Sequence, residues 1–381
     1  MSEQAENKPS LKELALLFLK LGITGFGGPA VHISMMRNEV VLKRKWLSEE
    51  KFIDLVGAVN MIPGPNSTEL AIHIGKEKAG WKGLLTAGVC FIIPAVIITA
   101  VIAWFYRQYG ALPDVQKIIF GIKPAIIAII AVNVFPLVIK AGKTKTLIFI
   151  GVLALALSLL GVNEVLIIFG AGLIMLLLKF VTSNFSKNKA GVFLPFAYTG
   201  SLFKLILQTD NLNLFLTFLK IGSILYGSGY VLFAFLEGEF VTGGILTQQQ
   251  LVDAIAVGQF TPGPVFSAVT FIGWQVNGFE GALVSTAGVF IPSFIFVGLL
   301  GLIIKKLRGS NIFTSFLDAV NISSLALIFS VCITFGKEIT GDWRSVFIAV
   351  LSLAVCIKYQ KLNTAWIVLG GSLAGYLLLL F

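Results

Sequence analysis

The chain has 381 residues, of which 56% are hydrophobic and 13% are charged, and its mean hydropathy is +0.91. Because an average soluble domain carries about 25% charged residues, this composition excludes a soluble protein and indicates an integral membrane protein. The net charge of +10 comes from 29 basic and 19 acidic residues. In a membrane protein such an excess is typical of cytoplasmic loops, and no basic stripe interleaved with aromatic residues points to nucleic acid.

The chain starts with a polar stretch and two broken apolar segments. The stretch MSEQAENKPS lacks the basic start of a secretory signal peptide, so we expect a cytoplasmic tail. Residues 11–45 then form an apolar segment that breaks at the glycine-rich residues 25–29 and returns to a basic cluster at 43–45. Residues 49–82 repeat this shape around the Pro-Gly-Pro at 63–65.

These broken segments are too short to cross a bilayer. Glu49 to Met61 would make about 20 Å of helix at 1.5 Å per residue, whereas a hydrocarbon core is about 30 Å thick. A segment that enters, stops partway and returns to the same side explains both this length and the matching charges at its ends. Such breaks are tolerated only where protein buries them or water reaches them. Ser48 and Thr247 are predicted helix N-caps, the latter with Gln250 in capping-box spacing.

Longer apolar runs follow in each half, and the longest match the roughly 20 residues that a spanning helix needs. The runs are 84–105, 118–139, 146–160, 162–178, 282–304, 313–335, 345–357 and 362–381.

The second half of the chain repeats the first about 200 residues later. Phe-Leu-Lys-Leu-Gly at 18–22 returns as Phe-Leu-Lys-Ile-Gly at 218–222, and the Pro-Gly-Pro motif returns at 262–264. Such self-similarity predicts two copies of one unit, here residues 1–180 and 211–381. The linker 181–210 contains a stretch, 191–208, that is just long enough to cross the membrane once.

The loop charges predict that the two copies are inverted relative to each other. The basic residues at 43–45 correspond to Thr-Gly-Gly at 242–244, whereas the nearly isolated Arg107 corresponds to a basic cluster at 305–308. Because basic loops stay cytoplasmic, matching loops lie on opposite sides. We therefore expect an all-α polytopic membrane protein of two inverted-topology repeats. Each repeat has two broken or re-entrant helical hairpins plus about four transmembrane helices, and a linking transmembrane helix joins the repeats. The N-terminus is expected to be cytoplasmic and the C-terminus external.

The helix breaks predict an anion site between the repeats. Proline removes a backbone donor and glycine permits a sharp reversal, so helix N-termini with free N–H groups are left facing a common interior point. Such a terminus carries a partial positive charge. A tight turn without a ligand is the simpler interpretation of Pro-Gly-Pro, but its repetition at equivalent positions favours a site. The predicted binding residues at the breaks are Gly27, Gly28, Pro63, Gly64, Pro65, Asn66, Ser67, Gly227, Pro262, Gly263, Pro264 and Ser267.

Two lysines in apolar helices, Lys20 and Lys220, are further candidates. A lysine inside a membrane helix costs roughly 2.5 to 3.5 kcal/mol on insertion scales, and intramembrane charges are functional candidates by default. Attraction of an anion and a structural ion pair, with Asp54 or Asp253 as the partner, are both open interpretations.

Glu69 and His73 lie four residues apart on one helix face, and the second half has no equivalent pair. A carboxylate and an imidazole beside an anion site could carry a coupling proton. The alternative is a water-facing stripe at the cytoplasmic mouth.

No cofactor or metal is expected. Cys90, Cys332 and Cys356 lie far apart, and there are only two histidines. A membrane enzyme such as a reductase is disfavoured because the sequence offers no paired cysteines, flavin fingerprint or nucleotide fingerprint. A P-loop is also absent from the sequence.

Taken together, the motifs resemble those of the chromate ion transporter family in its long two-domain form. They are Phe-Leu-Lys-(Leu/Ile)-Gly, the Gly-Phe-Gly-Gly-Pro at 25–29, Trp-Leu-Ser at 46–48, Asn-Met-Ile-Pro-Gly-Pro at 60–65, Gly-Trp-Lys-Gly at 80–83 and their second-half counterparts. The resemblance covers essentially the whole chain. It implies export of chromate from the cytoplasm across a prokaryotic inner membrane, driven by the electrochemical gradient.

The resemblance leaves three points open. Gly-Ser-Gly-Tyr at 227–230 replaces Gly-Gly-Pro-Ala at 27–30, so the halves need not contribute equally to the site. Sulfate or another oxyanion is an alternative substrate, because it has the charge and shape of chromate. A passive anion channel could also use the same architecture. The expected partners are therefore chromate or sulfate and the lipid bilayer, and not nucleic acid.

Overall fold

The computed structural model describes residues 9–182, 211–226, 229–307, 311–359 and 362–380, and within these ranges the chain is helical and contains no strand. The first repeat comprises α1 (Leu11–Thr24), α2 (Pro29–Arg37), α3 (Glu49–Val59), α4 (Asn66–Tyr109), α5 (Pro113–Phe120), α6 (Ile122–Ala141), α7 (Lys145–Leu159) and α8 (Glu164–Thr182). The second comprises α9 (Asn211–Ile224), α10 (Val231–Leu236), α11 (Gln248–Phe260), α12 (Ala268–Leu307), α13 (Asn311–Ile339), α14 (Trp343–Lys358) and α15 (Thr364–Leu378). The predicted linking helix at 191–208 lies outside the described residues.

The helix ends follow local sequence signals. The side chain of Ser48 accepts a hydrogen bond from the Lys51 N–H. Thr247 and Gln250 form a complete capping box, so both predicted N-caps are confirmed. The first helix ends at Thr24, before the glycine-rich break, and Pro29 starts the next helix, where proline loses no intrahelical bond.

The helices α4 and α12 each turn back on themselves at a glycine. The backbone is non-helical at Ala79 and Gly80, where Gly80 has φ +59°. Beyond the turn the two arms, 66–78 and 81–109, pack backbone to backbone. A Cβ atom on Gly75 would lie 2.2 Å from the carbonyl oxygen of Gly83, so only glycine fits there. The turn of α12 at 277–278 has the same geometry, and there the glycines at 273 and 281 make the same close approach.

The long arms of α4 and α12 run antiparallel to each other. Trp81, at the start of the first long arm, contacts Gly298 near the far end of the second. At the opposite end, Arg107 Nη1 donates a hydrogen bond to the carbonyl oxygen of Trp274 at 3.3 Å. Equivalent arms that cross in opposite directions are what inverted repeats require, so the predicted all-α fold of two repeats is confirmed, whereas the re-entrant hairpins stay a prediction.

The two repeats are also intertwined in the rest of the bundle. The helix α6 of the first repeat packs on α14 and α15 of the second, and α13 of the second packs on α7 and α8 of the first. The repeats are therefore units of sequence whose cores are shared, and not two separate lobes.

The outer surface of the long arm of α4 fits a bilayer. Large apolar side chains are exposed at every fourth position along this arm and make one continuous stripe. The stripe covers about 20 residues, or about 30 Å of helix, which equals the thickness of a hydrocarbon core. Its members are Leu85, Val89, Ile93, Ile97, Val101 and Phe105.

The inversion predicts that equivalent loops face opposite sides of the membrane. Single cysteines at Lys45 and Thr242, both exposed, can test this in a background in which Cys90, Cys332 and Cys356 are replaced by alanine. In intact cells we expect a membrane-impermeant maleimide to label Thr242→Cys and to label Lys45→Cys only after permeabilisation. Labelling of both from outside would contradict the inversion.

Candidate functional site

Two reciprocal backbone hydrogen bonds join the breaks of the two repeats. The Gly64 N–H, in the first Pro-Gly-Pro loop, donates to the Leu225 carbonyl oxygen at 2.8 Å. The Gly263 N–H, in the second loop, donates to the Gly25 carbonyl oxygen at 2.7 Å. Since Gly25 and Leu225 hold equivalent positions in the repeats, each loop docks on the first break of the other repeat. This exchange satisfies backbone groups that the breaks leave open.

The central glycine of each loop has a backbone that other residues rarely adopt. Gly64 has φ +132° and Gly263 has φ +93°. The first of these also has no room for a side chain, because a Cβ atom there would lie 2.2 Å from Glu69 Oε1 and 2.8 Å from Ser293 Oγ.

A cavity with room for about one water molecule lies where these breaks meet. Its lining comes from both repeats and consists of Pro29, His32, Pro65, Ser67, Gly229, Pro264, Val265 and Phe266. The structure thus brings the predicted residues Pro65, Ser67 and Pro264 together at one point. A tetrahedral oxyanion needs more room than one water, so the cavity is closed to such an anion in this conformation.

Helix N-termini from both repeats converge on this cavity. The helix α2 begins at Pro29, the helix α4 begins at Asn66, and the short turn Val265–Ser267 leads into α12. The first amides of a helix have no intrahelical partner and carry the positive end of its dipole. Three such ends beside one cavity favour a negatively charged occupant.

The other residues predicted at the breaks surround the cavity without lining it. Gly28 is the N-cap of α2, and Gly27 has φ +120° in the same break. The side chain of Asn66 donates to Asn60 Oδ1 at 2.7 Å. Ser267 Oγ accepts a hydrogen bond from Thr99 Oγ1 at 3.3 Å. Pro63 and Pro262 belong to the two docked loops, and Gly227 lies outside the described residues.

Neither lysine candidate is among the residues that line the cavity. Lys20 Nζ lies 3.3 Å from Glu39 Oε1, and Lys220 makes the equivalent ion pair with Glu239. The partners are therefore these two glutamates, whereas the sequence suggested Asp54 or Asp253. The first pair joins α1 to the π-helical turn Asn38–Lys43, and the second joins α9 to the equivalent turn Glu237–Val241. Each turn lies at the base of the hairpin to which its lysine belongs.

The two ion pairs have different surroundings. Glu39 is shared by three basic side chains, since Lys43 Nζ lies 3.0 Å from Oε1 and Arg44 Nε lies 3.4 Å from Oε2. Glu239 pairs with Lys220 alone among the ion pairs of the described residues, and Glu164 is close enough to repel it.

Glu69 is completely buried, which contradicts the water-facing alternative for this residue. Its Oε1 accepts a hydrogen bond from Ser293 Oγ of the other repeat at 3.3 Å. Its Oε2 has no hydrogen-bond partner among the described residues, and the Tyr226 ring lies near enough to interact with its charge.

Two further polar side chains, His73 and Lys76, follow Glu69 along the same arm, and Lys76 contacts the other repeat. His73 is half-buried one turn after Glu69. Lys76 Nζ donates to the carbonyl oxygens of Val297 at 3.0 Å and Gly298 at 2.6 Å. These contacts join the first repeat to the far end of the long arm of α12.

Sequence reasoning missed His32, which lines the cavity. Its Nε2 lies 2.9 Å from the Gly25 carbonyl oxygen, and its Nδ1 lies 3.3 Å from Ser67 Oγ. A carbonyl only accepts, so Nε2 is the donor, and in the neutral ring Nδ1 then accepts from the serine hydroxyl. The ring thus ties the first break to the N-terminus of α4. Its position three residues after the Gly-Gly-Pro at 27–29 is the signal that could have identified it.

The comparison with known proteins shows the same division of the chain into two repeats. A family model described as chromate transporter matches residues 12–176 and again residues 212–376. The chromate transport protein of Cupriavidus metallidurans is 29% identical over 371 residues, which cover 96% of this chain and 92% of that protein. The probable chromate transport protein of Synechococcus elongatus is 30% identical over 373 residues, or 96% of this chain and 95% of that protein.

A shorter relative has about the length of one repeat. This uncharacterized transporter of Bacillus subtilis is 25% identical over 162 residues, which cover 42% of this chain and 91% of that protein. No solved structure matches the chain.

Replacing Gly64 by alanine is expected to disable the site. The positive φ alone costs of order 1–3 kcal/mol for a residue with a side chain, and the new methyl group would push Glu69 and Ser293 away from the loop. We expect Gly64→Ala to lower oxyanion transport in vesicles at least tenfold.

Gly57→Ala is the matched control, because nothing lies within 4 Å of a Cβ atom at that position in α3. It should transport at the wild-type rate. Equal transport by both variants would show that the loop geometry is not required.

Proposed function

The chain belongs to the chromate transporter family, and we propose that it is a secondary active transporter that exports chromate from the cytoplasm across a prokaryotic inner membrane. The electrochemical gradient supplies the driving force. The full-length similarity to proteins named for chromate transport supports this proposal. Sulfate or another oxyanion is the alternative substrate, since it offers the same charge and the same four oxygen atoms.

The observation that carries the proposal is the convergence of three helix N-termini on one cavity between the repeats. Open amides and partial positive charges match a tetrahedral dianion, which has acceptors on all sides. The hydroxyl of Ser67 adds a donor at this point. The remaining predicted residues at the breaks shape the loops that hold these termini in place.

The lysines support the same site from a greater distance. Lys20 lies one turn before the end of α1, and Thr24 Oγ1 donates to its carbonyl oxygen at 2.8 Å. We assign both lysines the task of keeping the hairpin bases closed by their ion pairs.

The direction of transport follows from the charge of the substrate. A dianion that leaves a negatively charged interior gains about 2.3 kcal/mol per elementary charge per 100 mV, or about 4.6 kcal/mol for two charges. Export of chromate therefore needs no ATP.

The closed cavity and the contacts between α4 and α12 favour a carrier over a passive channel. Lys76 bonds to carbonyls of α12 at one end of the arms, and Arg107 bonds to α12 at the other. Opening one set of contacts while the other stays closed would expose the cavity to one side at a time, as alternating access requires.

Transport into inside-out vesicles tests the function. With an interior-positive potential imposed, we expect the vesicles to accumulate radiolabelled chromate, and unlabelled sulfate to compete if the site takes oxyanions in general. When a gradient of the coupling ion is added, the ratio of chromate inside the vesicles to chromate outside should exceed the value that the potential alone sets. If the chromate ratio stays at the value that the membrane potential sets, whichever ion gradient is imposed, the result would favour a passive channel.

The two lysine variants are expected to lower the affinity for chromate to different extents. In Lys20→Gln, Glu39 keeps Lys43 and Arg44, whereas in Lys220→Gln the carboxylate of Glu239 loses its partner and faces Glu164. We expect chromate affinity, measured by titration calorimetry, to fall severalfold in Lys20→Gln and further in Lys220→Gln, while both variants insert into the membrane. Wild-type affinity in both would remove the lysines from the proposal.

A further inference from the structure

Glu69 breaks the symmetry of an otherwise symmetric site. The glycine pairs that close the turns of α4 and α12 align Gly75 with Gly273, and the second repeat is one residue shorter between Pro-Gly-Pro and this glycine. Glu69 therefore corresponds to Ser267 when counted from this glycine and to Ala268 when counted from Pro-Gly-Pro, and neither residue is acidic. The second repeat forms the same break with a serine whose hydroxyl meets that of Thr99, so the fold does not require a carboxyl group at this position.

No cation compensates the carboxyl group of Glu69 within the part of the chain that the structure describes. The groups next to it are the hydroxyl of Ser293 from α12 and the backbone of Gly64, and the phenol group of Tyr226, from the break of the second repeat, lies within electrostatic range. One carboxyl oxygen has no hydrogen-bond partner among those residues, although the side chain is completely buried. A buried carboxylate without a partner is costly, whereas a neutral carboxyl group is tolerated.

The backbone of Glu69 lies within about one helical turn of two residues that line the cavity. The Glu69 N–H donates to the Pro65 carbonyl oxygen at 3.0 Å, and both Pro65 and Ser67 line the cavity. A dianion in the cavity and a carboxylate on Glu69 would repel each other where little water screens them, and both would draw on the same helix N-terminus.

We propose that Glu69 binds a proton whenever the oxyanion site is occupied, so that each oxyanion crosses the membrane together with one proton. The proposal rests on the anion site proposed above. Proton and anion then strengthen each other's binding, because thermodynamic coupling between two sites is reciprocal.

This coupling changes the charge that moves in each cycle. A dianion with one proton carries one net negative charge, so the equilibrium ratio of chromate across the membrane changes tenfold per about 59 mV, compared with about 30 mV for the dianion alone. The membrane potential still favours export, and an alkaline interior opposes it.

Two histidines could produce an effect of the same sign and must be separated from Glu69. His32 lines the cavity and His73 lies one turn beyond Glu69, and a proton on either ring would also attract an anion. Glu69→Gln keeps both rings, so it distinguishes the carboxyl group from them. Glu77→Gln is the matched control, since Glu77 lies on the same arm but pairs with Lys51 at 2.9 Å near the surface.

The test measures protons taken up when sodium chromate binds to the purified full-length protein at alkaline pH, where free chromate is a dianion. With a pH-indicator dye we expect uptake to rise with pH toward one proton per bound chromate in the wild type and in Glu77→Gln, because the buried carboxyl group of the empty protein must first ionise. Glu69→Gln should take up none at any of these pH values. Calorimetry should show affinity that falls by up to tenfold per pH unit in the wild type and stays constant in Glu69→Gln.

The outcomes separate the inference from the function on which it rests. If the wild type binds neither chromate nor sulfate, the proposed function is overturned. If it binds chromate without taking up protons, or if Glu69→Gln takes up as many as the wild type, the inference is overturned. Should Glu69→Gln fail to fold, the wild-type protein in liposomes provides the test. With no pH gradient, the chromate concentration ratio across the membrane is measured as the membrane potential is varied. A tenfold change in this ratio per about 30 mV would contradict proton coupling.

Discussion

The reciprocal hydrogen bonds between the Pro-Gly-Pro loops and the opposite breaks are the interaction on which the rest of the structure depends. Inside a bilayer no water is available for open backbone groups, so a broken helix is stable only if another part of the protein satisfies it. Gly64 bonds to Leu225 and Gly263 bonds to Gly25, so each repeat supplies what the other lacks. The same requirement brings the helix N-termini to one point, and the partial positive charge there is a consequence of how the breaks are satisfied.

On this symmetric frame, chemical differences between the repeats are concentrated at a few positions. Glu69 and Ser267 hold corresponding places when counted from the glycines that close the turns, yet one is a carboxyl group that meets Ser293 and the other a hydroxyl that meets Thr99. The ion pairs at the hairpin bases differ as well, because Glu39 has three basic neighbours and Glu239 has one. An inverted pair has equal access to both sides by geometry. Differences of this kind are what can give transport a direction and a coupled ion.

Local signals made much of the fold predictable. The N-cap at Ser48, the capping box at Thr247 and the glycine-rich breaks act within one turn of the chain, so residue types at fixed spacing identify them. Contacts between distant parts of the chain were harder to predict. The glutamate partner of Lys20 lies 19 residues away, and several acidic residues in the sequence were equally plausible. His32 was overlooked because its role depends on Gly25 and Ser67 meeting in space.

By itself the sequence determined a membrane protein of two inverted copies with paired helix breaks, because composition, repetition and loop charge are each read along the chain. Only the tertiary structure decided that the lysines pair with Glu39 and Glu239, that Glu69 is buried against the opposite repeat, and that α6 and α13 exchange partners between the repeats. The reason is physical. Burial and pairing depend on which surfaces come together, and two intertwined repeats bring together residues more than 200 positions apart.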